Sequence, residues 1–138
     1  MAYSESQPKV SLIAETTFAK TDLYKFVRMS SSAGKVTVTG TTNAAGVIGT
    51  LLSETYTTST GANEVVTVGL LQGIGKVFMA GSTLSAGARI SASSLGYGVE
   101  ASSDGGQIGI IATMSSGGSS STGRIASVIF APLFFHTT

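Results

Sequence analysis

Short apolar runs separated by polar, glycine-containing gaps recur along most of the chain. Val36 and Val38 alternate with Thr37 and Thr39, which is the pattern of a half-buried strand. Val, Ile, Thr, Tyr and Phe dominate the runs, and Gly, Ser, Asn and Asp dominate the gaps. We therefore predict one all-β domain, a small sandwich or barrel of short antiparallel strands. The later runs occupy residues 46–54, 64–73, 75–81, 96–101, 107–114 and 124–135.

The first 30 residues have a different pattern. Phe18, Asp22 and Phe26 are spaced four apart, as on one face of a short helix within residues 15–29, but no clear cap residue precedes them. An extended segment leading into a strand at residues 24–29 fits the same residues, and we favour it. The predicted organisation is an N-terminal arm, residues 1–25, followed by a β domain, residues 26–138.

Two stretches of the chain echo each other. Residues 31–49 read SSAGKVTVTGTTNAAGVIG and residues 93–109 read SSLGYGVEASSDGGQIG. Both contain Ser-Ser, a glycine, a short strand, a polar turn and then G-x-I-G. We interpret the two Ile-Gly pairs as matching bends in a β scaffold, where glycine allows a bulge or close packing. The echo is also what an internal duplication would leave.

The glycine-punctuated runs do not match phosphate-binding loops. Gly75-Lys76 is followed by Val77, so the hydroxyl residue of a P-loop is missing. Gly73 and Gly75 are followed by neither the third glycine nor the helix of a dinucleotide-binding turn. We predict a glycine bend between two strands here, and no nucleotide cofactor.

Residues for other chemistry are sparse. The chain has one histidine, His136, and no cysteine, and no G-x-S-x-G motif is present. The spacing of the acids predicts neither a metal site nor a carboxylate pair. We therefore predict no enzyme, no metal and no cofactor. An enzyme would require acids or the histidine to converge in a pocket, and the candidates are Glu54, Glu64, Glu100, Asp104 and His136.

Composition fits either an assembly protein or an ordinary secreted β domain, and it disfavours a nucleic-acid or membrane protein. Charged residues make up 11% of the 138 residues, against about 25% in typical globular domains. A surface of Ser, Thr, Gly and Ala loses few ionic hydration shells when another protein covers it. The net charge of +1 predicts no direct nucleic-acid partner, and no apolar stretch is long enough to span a membrane. The N-terminus lacks a signal-peptide pattern, which predicts synthesis in the cytoplasm.

Aromatic residues suggest two kinds of contact. Leu133, Phe134 and Phe135 form an apolar cluster near the C-terminus, which we expect to be covered or to reach a neighbouring subunit. Tyr3, Tyr56 and Tyr97 are isolated among polar residues. They fit either a stacking platform for a sugar or ordinary strand-end tyrosines with wet hydroxyls.

The succession from Phe26 to Leu133 resembles the capsid cement, or head decoration, proteins of tailed bacteriophages. The resemblance lies in the order of KFVRMSSSAGKVTV, GVIGTLLSE, EVVTVGLLQGIGKV, SAGARISASSLGYGV, GQIGIIATM and RIASVIFAPL. It implies an all-β structural protein of the virion, bound to the capsid exterior after synthesis in a host bacterial cytoplasm. It also implies a homo-trimer whose partner is the major capsid protein, with no catalytic activity.

The resemblance supplies no residue-level binding motif. We predict contacts with the capsid or between subunits from the arm and the C-terminal aromatic cluster, and deletion of residues 1–25 is expected to leave the domain folded. The alternative is a carbohydrate- or receptor-binding β module of a phage fibre or spike. The predicted contact residues are Tyr3, Pro8, Val10, Leu12, Phe18, Phe134 and Phe135.

Overall fold

The computed structural model describes residues 7–38, 46–56, 63–80, 84–101, 106–114 and 123–133. These residues form short strands joined by turns, with one 3₁₀ turn at Lys20–Asp22, so the predicted all-β class is confirmed. The strands are β1 Lys9–Ala14, β2 Phe26–Met29, β3 Lys35–Val38, β4 Val47–Leu51, β5 Val65–Leu70, β6 Ile74–Phe78, β7 Arg89–Ala92, β8 Gly98–Glu100, β9 Gln107–Met114 and β10 Ile125–Leu133.

The strands form two sheets that follow each other along the chain. The first is a closed barrel in the order β1-β3-β2-β4-β5, in which β1 also pairs with β5. The second is a five-stranded sheet in the order β6-β10-β9-β7-β8. The paired strands are antiparallel, as predicted, with one exception: β1 and β3 run parallel.

The segment predicted as an arm forms part of the barrel. β1 pairs with β5 over five positions, from Lys9 opposite Gly69 to Ile13 opposite Val65, and with β3 on its other side. Lys9–Ala14 therefore belong to the first sheet, and the prediction of an arm over residues 1–25 is wrong for that strand. This segment forms a strand because Val10, Leu12 and Ala14 alternate with exposed residues and give β1 one inward-facing apolar side. The strand after it, β2, lies within the predicted residues 24–29.

Each sheet encloses its own apolar cluster. The first cluster fills the barrel, and the second fills the space inside the second sheet. Phe26 and Val47 belong to strands of the first sheet, yet they pack in the second cluster. The two sheets therefore share apolar packing across their junction.

The two sheets are repeats of one strand arrangement. We call residues 7–70 the first half and residues 72–133 the second half. Strands β1 to β5 correspond in order to β6 to β10, and in both halves the neighbours run in the same sequence. The strand registers agree as well. Val27 stands opposite Val38 on β2 and β3, and the corresponding Ile90 stands opposite Glu100 on β7 and β8.

Backbone hydrogen bonds outside the strands repeat with the same partners. The Ala14 amide donates to the Glu64 carbonyl at 2.8 Å, and the corresponding Met79 amide donates to Arg124 at 2.8 Å. In return, the amides of Asn63 and Gly123 donate to the carbonyls of Ala14 and Met79. Such agreement down to individual donors is what an internal duplication predicts.

The two G-x-I-G stretches occupy corresponding places, as the echo in the sequence predicted. Gly46 and Gly106 have φ of 77° and 73°, values that an L-residue with a side chain seldom adopts. A β-carbon at Gly49 would overlap the carbonyl oxygen of Gly69, and one at Gly109 would overlap that of Ile129. The first glycine of each G-x-I-G stretch therefore makes the bend, and the second glycine allows two strands to approach closely.

Core volume is redistributed between corresponding positions of the halves. Ala14 pairs with Val36 in the first half, and the corresponding bridge in the second joins Met79 and Gly98. A β-carbon at Gly98 would collide with the Met79 sulfur, so the long side chain fills the space that a valine fills in the barrel. Replacing a small–large pair by a large–small pair keeps the interior filled.

The halves also differ in how the edges of their sheets are closed. In the first half, the Ile13 amide reaches the Gly34 carbonyl at 3.4 Å, which helps to close the barrel. In the second half, the corresponding Phe78 amide donates to Tyr24 at 2.9 Å, and the Gly96 carbonyl accepts from Phe26 at 2.7 Å. Residues 24–26 of the first half thus insert between β6 and the turn before β8. Among the described residues, one bridge, between Met79 just after β6 and Gly98 of β8, joins the two segments.

Candidate interaction surface

Phe18, one of the predicted contact residues, is a core residue. Its side chain is 1% exposed and packs in the first apolar cluster. The Phe18 amide donates to the Thr55 hydroxyl, which in turn donates to the Phe18 carbonyl, both at 3.2 Å. The prediction that Phe18 contacts a partner is therefore wrong, because burial in the barrel leaves no ring surface for one.

The other predicted contact residues have different outcomes. Val10 and Leu12 point inward from β1 and pack against the first cluster, so their apolar contacts lie within the chain. Pro8 is exposed just before β1. Three predicted residues, Tyr3, Phe134 and Phe135, lie outside the described residues.

The apolar surface that the sequence prediction missed lies on the outward faces of the strands. Ile13 and Val65 stand directly opposite each other on β1 and β5, and their side chains are 38% and 64% exposed. Cross-strand neighbours on one face lie close enough to form a continuous patch. The alternation along β1 could have revealed this patch. Neighbouring side chains in a strand point to opposite faces, so Ile13 must point outward where Leu12 points inward.

The corresponding pair in the second half is less exposed. Phe78 and Ile125 stand opposite each other on β6 and β10, and both are half-buried. Tyr24 lines a shallow cavity of about 330 Å³ together with Ile125, and the Lys76 ammonium lies 5.6 Å from the centre of the Tyr24 ring. The same outward position is thus already an interface in one half of the molecule and is exposed in the other.

A second apolar row crosses the outward face of the second sheet. Ile129 is 46% exposed and stands opposite both Ile74 and Ile110 on its neighbouring strands. In the first half the position of Ile129 is Gly69, which the Gln7 side chain covers. The Gln7 amide donates to the Thr50 hydroxyl at 3.1 Å and to the Leu70 carbonyl at 3.0 Å.

The candidate acids that the structure describes lie in two different parts of the molecule. Glu54 lines a cavity of about 450 Å³ beside the 98% exposed Tyr56, whose amide donates to Glu64 at 2.6 Å. Glu100 lies on β8 of the other sheet, while Asp104 and His136 fall outside the described residues. Within the described ranges, no cluster of three His, Cys, Asp or Glu side chains could hold a metal ion.

The candidate tyrosines are dispersed over the molecule. Tyr97 packs its ring 5.4 Å from that of Phe78 and lies 5.0 Å from the Lys25 ammonium, at the junction of the halves. Tyr56 is at the other cavity, so the described tyrosines do not form one platform. Among the described residues, no helix is long and apolar enough to cross a membrane.

The described surface is therefore distinguished by exposed apolar side chains on the outward strand faces. Comparison of the chain with known protein families finds no matching family, and comparison with curated proteins finds no matching relative.

Proposed function

We propose that the chain is a structural virion protein, a cement protein that binds the outside of a phage head and stabilises the shell. The observation that carries the proposal is the set of large apolar side chains exposed on a domain with few charges, since such a surface is inexpensive to desolvate against another protein. These side chains are Ile13, Met29, Tyr56, Val65, Leu70, Leu95 and Ile129.

The physical basis of cementing is multivalent contact with the major capsid protein. A homo-trimer attached to several capsid subunits gains avidity, because its second and third contacts form within one complex. Contact sites that reach the right separation only in the expanded shell would restrict binding to mature heads. The capsid contact that we propose is the apolar row centred on Ile129, flanked by Ile74 and Ile110.

Co-sedimentation with mature phage heads tests this role. We expect the protein to pellet with heads that lack it and to raise the temperature at which they release DNA. Ile129→Asp should abolish co-sedimentation, because a carboxylate on the row must be desolvated on binding. Leu95→Asp is the matched control, since Leu95 is exposed on a turn away from the row. Binding without any gain in heat tolerance would exclude the cement role.

A carbohydrate- or receptor-binding module of a fibre or spike is the second candidate. Tyr56 is almost fully exposed beside the cavity that Glu54 lines, and an aromatic ring next to a carboxylate is a common way to hold a sugar. Binding of the protein to host cells, lost in Tyr56→Ala but kept in Ile129→Asp, would favour this reading over the cement role.

A further inference from the structure

Two rows of side chains lie next to each other on the outward face of the second sheet. The first is the apolar row centred on Ile129. The second, which we call the polar row, consists of Lys76, Ser127 and Thr113, and a register shift just after Ser127 aligns Thr113 with it. Lys76 lies two residues from Ile74, and Ser127 lies two residues from Ile129. Because residues two apart in a strand point to the same side, both rows face the same direction.

The first half shows that the fold requires neither row. At the positions of the apolar row, the first half has Lys9, Gly69 and Thr50. At the position of Lys76, it has Ser11. The same strand arrangement therefore forms without isoleucines or a lysine on this face. Apolar side chains exposed without a need in folding favour contact with another molecule.

The polar row lines the cavity of about 330 Å³ that Tyr24 bounds. The Lys76 ammonium lies 5.6 Å from the centre of the Tyr24 ring. An ammonium has three N–H donors, so its attraction to the ring leaves it able to bind an anion as well. The Ser127 and Thr113 hydroxyls line the same cavity and can donate further hydrogen bonds.

Charge complementarity selects the group that fits this cavity. Lys76 is the one charged side chain among the described residues that line it. A carboxylate is negative and only accepts hydrogen bonds, so it matches an ammonium beside two hydroxyls. The neighbouring apolar row adds a second requirement, because it must be covered by apolar side chains of the same partner.

The spacing of the two rows defines the partner further. Side chains on one face of a strand recur at about 6.6–6.8 Å, since each residue advances about 3.3–3.4 Å. An extended segment that runs along the strands has the same period. If one of its apolar side chains packs on the apolar row, the side chain two residues along lies over the polar row.

We propose that this face docks an extended segment of a partner protein that carries Asp or Glu two residues from an apolar side chain. The apolar side chain packs on Ile129, and the carboxylate accepts hydrogen bonds from Lys76 and the two hydroxyls. The charge contact fixes the partner and the register, while the apolar row supplies buried area. The inference rests on the proposed function, because it takes the segment to belong to the major capsid protein.

Co-sedimentation with mature heads that lack the protein, at increasing protein concentration, tests the charge contact. Lys76→Gln should weaken head binding about tenfold and Lys76→Glu should weaken it further, while Lys76→Arg should retain it. Lys9→Glu is the matched control, because Lys9 is exposed on β1 of the first half and its replacement changes the net charge as Lys76→Glu does. Added salt should weaken binding of the wild-type chain more than that of Lys76→Gln, since the variant has no charge pair to screen.

Carbodiimide coupling on the heads identifies the segment. The reagent joins the Lys76 amine to a carboxylate in contact with it as an amide, and the reagent takes up the water as a urea. Mass spectrometry is expected to find Lys76 linked to Asp or Glu of the major capsid protein, with an apolar residue two positions away.

The outcomes separate this inference from the cement role. Head binding that is unchanged in Lys76→Glu but lost in Ile129→Asp would overturn the charge contact and leave the cement role standing. Coupling that links Lys76 to no capsid carboxylate would do the same. A wild-type chain that binds no heads would instead remove the proposed function, and the inference with it.

Discussion

At the scale of single residues, Gly49 and Gly109 lie where a neighbouring strand's carbonyl approaches the α-carbon most closely. The approach is made by backbone, which cannot move aside as the end of a flexible side chain can. Both positions therefore require the absence of a side chain, for a reason that the sequence echo could only suggest.

We expect Gly49→Ala and Gly109→Ala each to lower the free energy of unfolding by about 1–3 kcal/mol or more, because the added methyl group forces the strands apart. Urea unfolding followed by circular dichroism measures the loss. Gly46→Asn is the matched control, since Gly46 has open space around it and Asn tolerates positive φ. Equal losses in all three variants would contradict the close approach as the cause.

Sequence reasoning predicted these glycines because both halves kept the same residue type. It did not detect that Tyr24 corresponds to Gly87, or that Asn63 corresponds to Gly123, although all four have positive φ. When corresponding positions share a backbone conformation but differ in residue type, the amino-acid sequence shows no repeat there. The contact prediction at Phe18 was wrong for a related reason, because an isolated aromatic reads the same whether it is buried or exposed.

At the scale of elements, β1 closes the barrel by pairing with β5 and β3. The uncapped, irregular apolar spacing of the first 30 residues suggested an extended arm, but Lys9 lies on the outward face of a paired strand. The alternation of Val10, Leu12 and Ala14 was present in the sequence. The partners of β1 could not be predicted from the sequence, because β5 lies far along the chain and pairing over that separation has no local signal.

Deletion of residues 1–14 is expected to unfold the first half, since it leaves β3 and β5 with one neighbouring strand each and opens the first cluster to water. Loss of the far-ultraviolet circular dichroism of the strands, and of protection from hydrogen exchange in β5, measures this. The double variant Lys9→Ala, Ser11→Ala is the control, because both side chains are exposed on β1. A folded deletion variant would restore the arm as the correct description.

Phe26 links the elements of the two halves, since its strand belongs to the first sheet and its ring to the second cluster. We expect Phe26→Ala to cost about 3–5 kcal/mol, the usual loss for a buried aromatic. Hydrogen exchange should show β9 and β10 losing protection first. Phe18→Ala is the matched comparison, because its ring is equally buried in the first cluster and its loss should expose β1 and β5 instead. Loss in the same strands for both variants would contradict separate clusters.

At the scale of the whole molecule, the shared packing at the junction predicts a single unfolding transition. Tyr24 and Tyr97 lie at that junction, and Tyr56 lies away from it. Thermal unfolding followed by tyrosine fluorescence and by circular dichroism should therefore give one midpoint, as expected for a small cooperative domain. Phe26→Ala should separate the transition into two. Two transitions in the wild-type chain would show that the halves are independent.

The fold class could be predicted because alternating apolar runs and glycine gaps are local properties. The closed barrel, its parallel pair and the junction could not, since they depend on which distant strands meet. The apolar patch at Ile13 and Val65 became visible only when β1 and β5 were placed side by side.

The volume exchange between Ala14–Val36 and Met79–Gly98 has a genetic consequence. Once one copy of a duplicated gene has changed both partners of a packed pair, its segments no longer fit the other copy. Recombination that transfers β8 into the place of β3 would bring a glycine beside Ala14 and leave a cavity, while the reverse transfer would bring a valine against Met79. Exchange of single strands between the two halves is therefore expected to lower the stability of the chain, through a cavity in one direction and overpacking in the other.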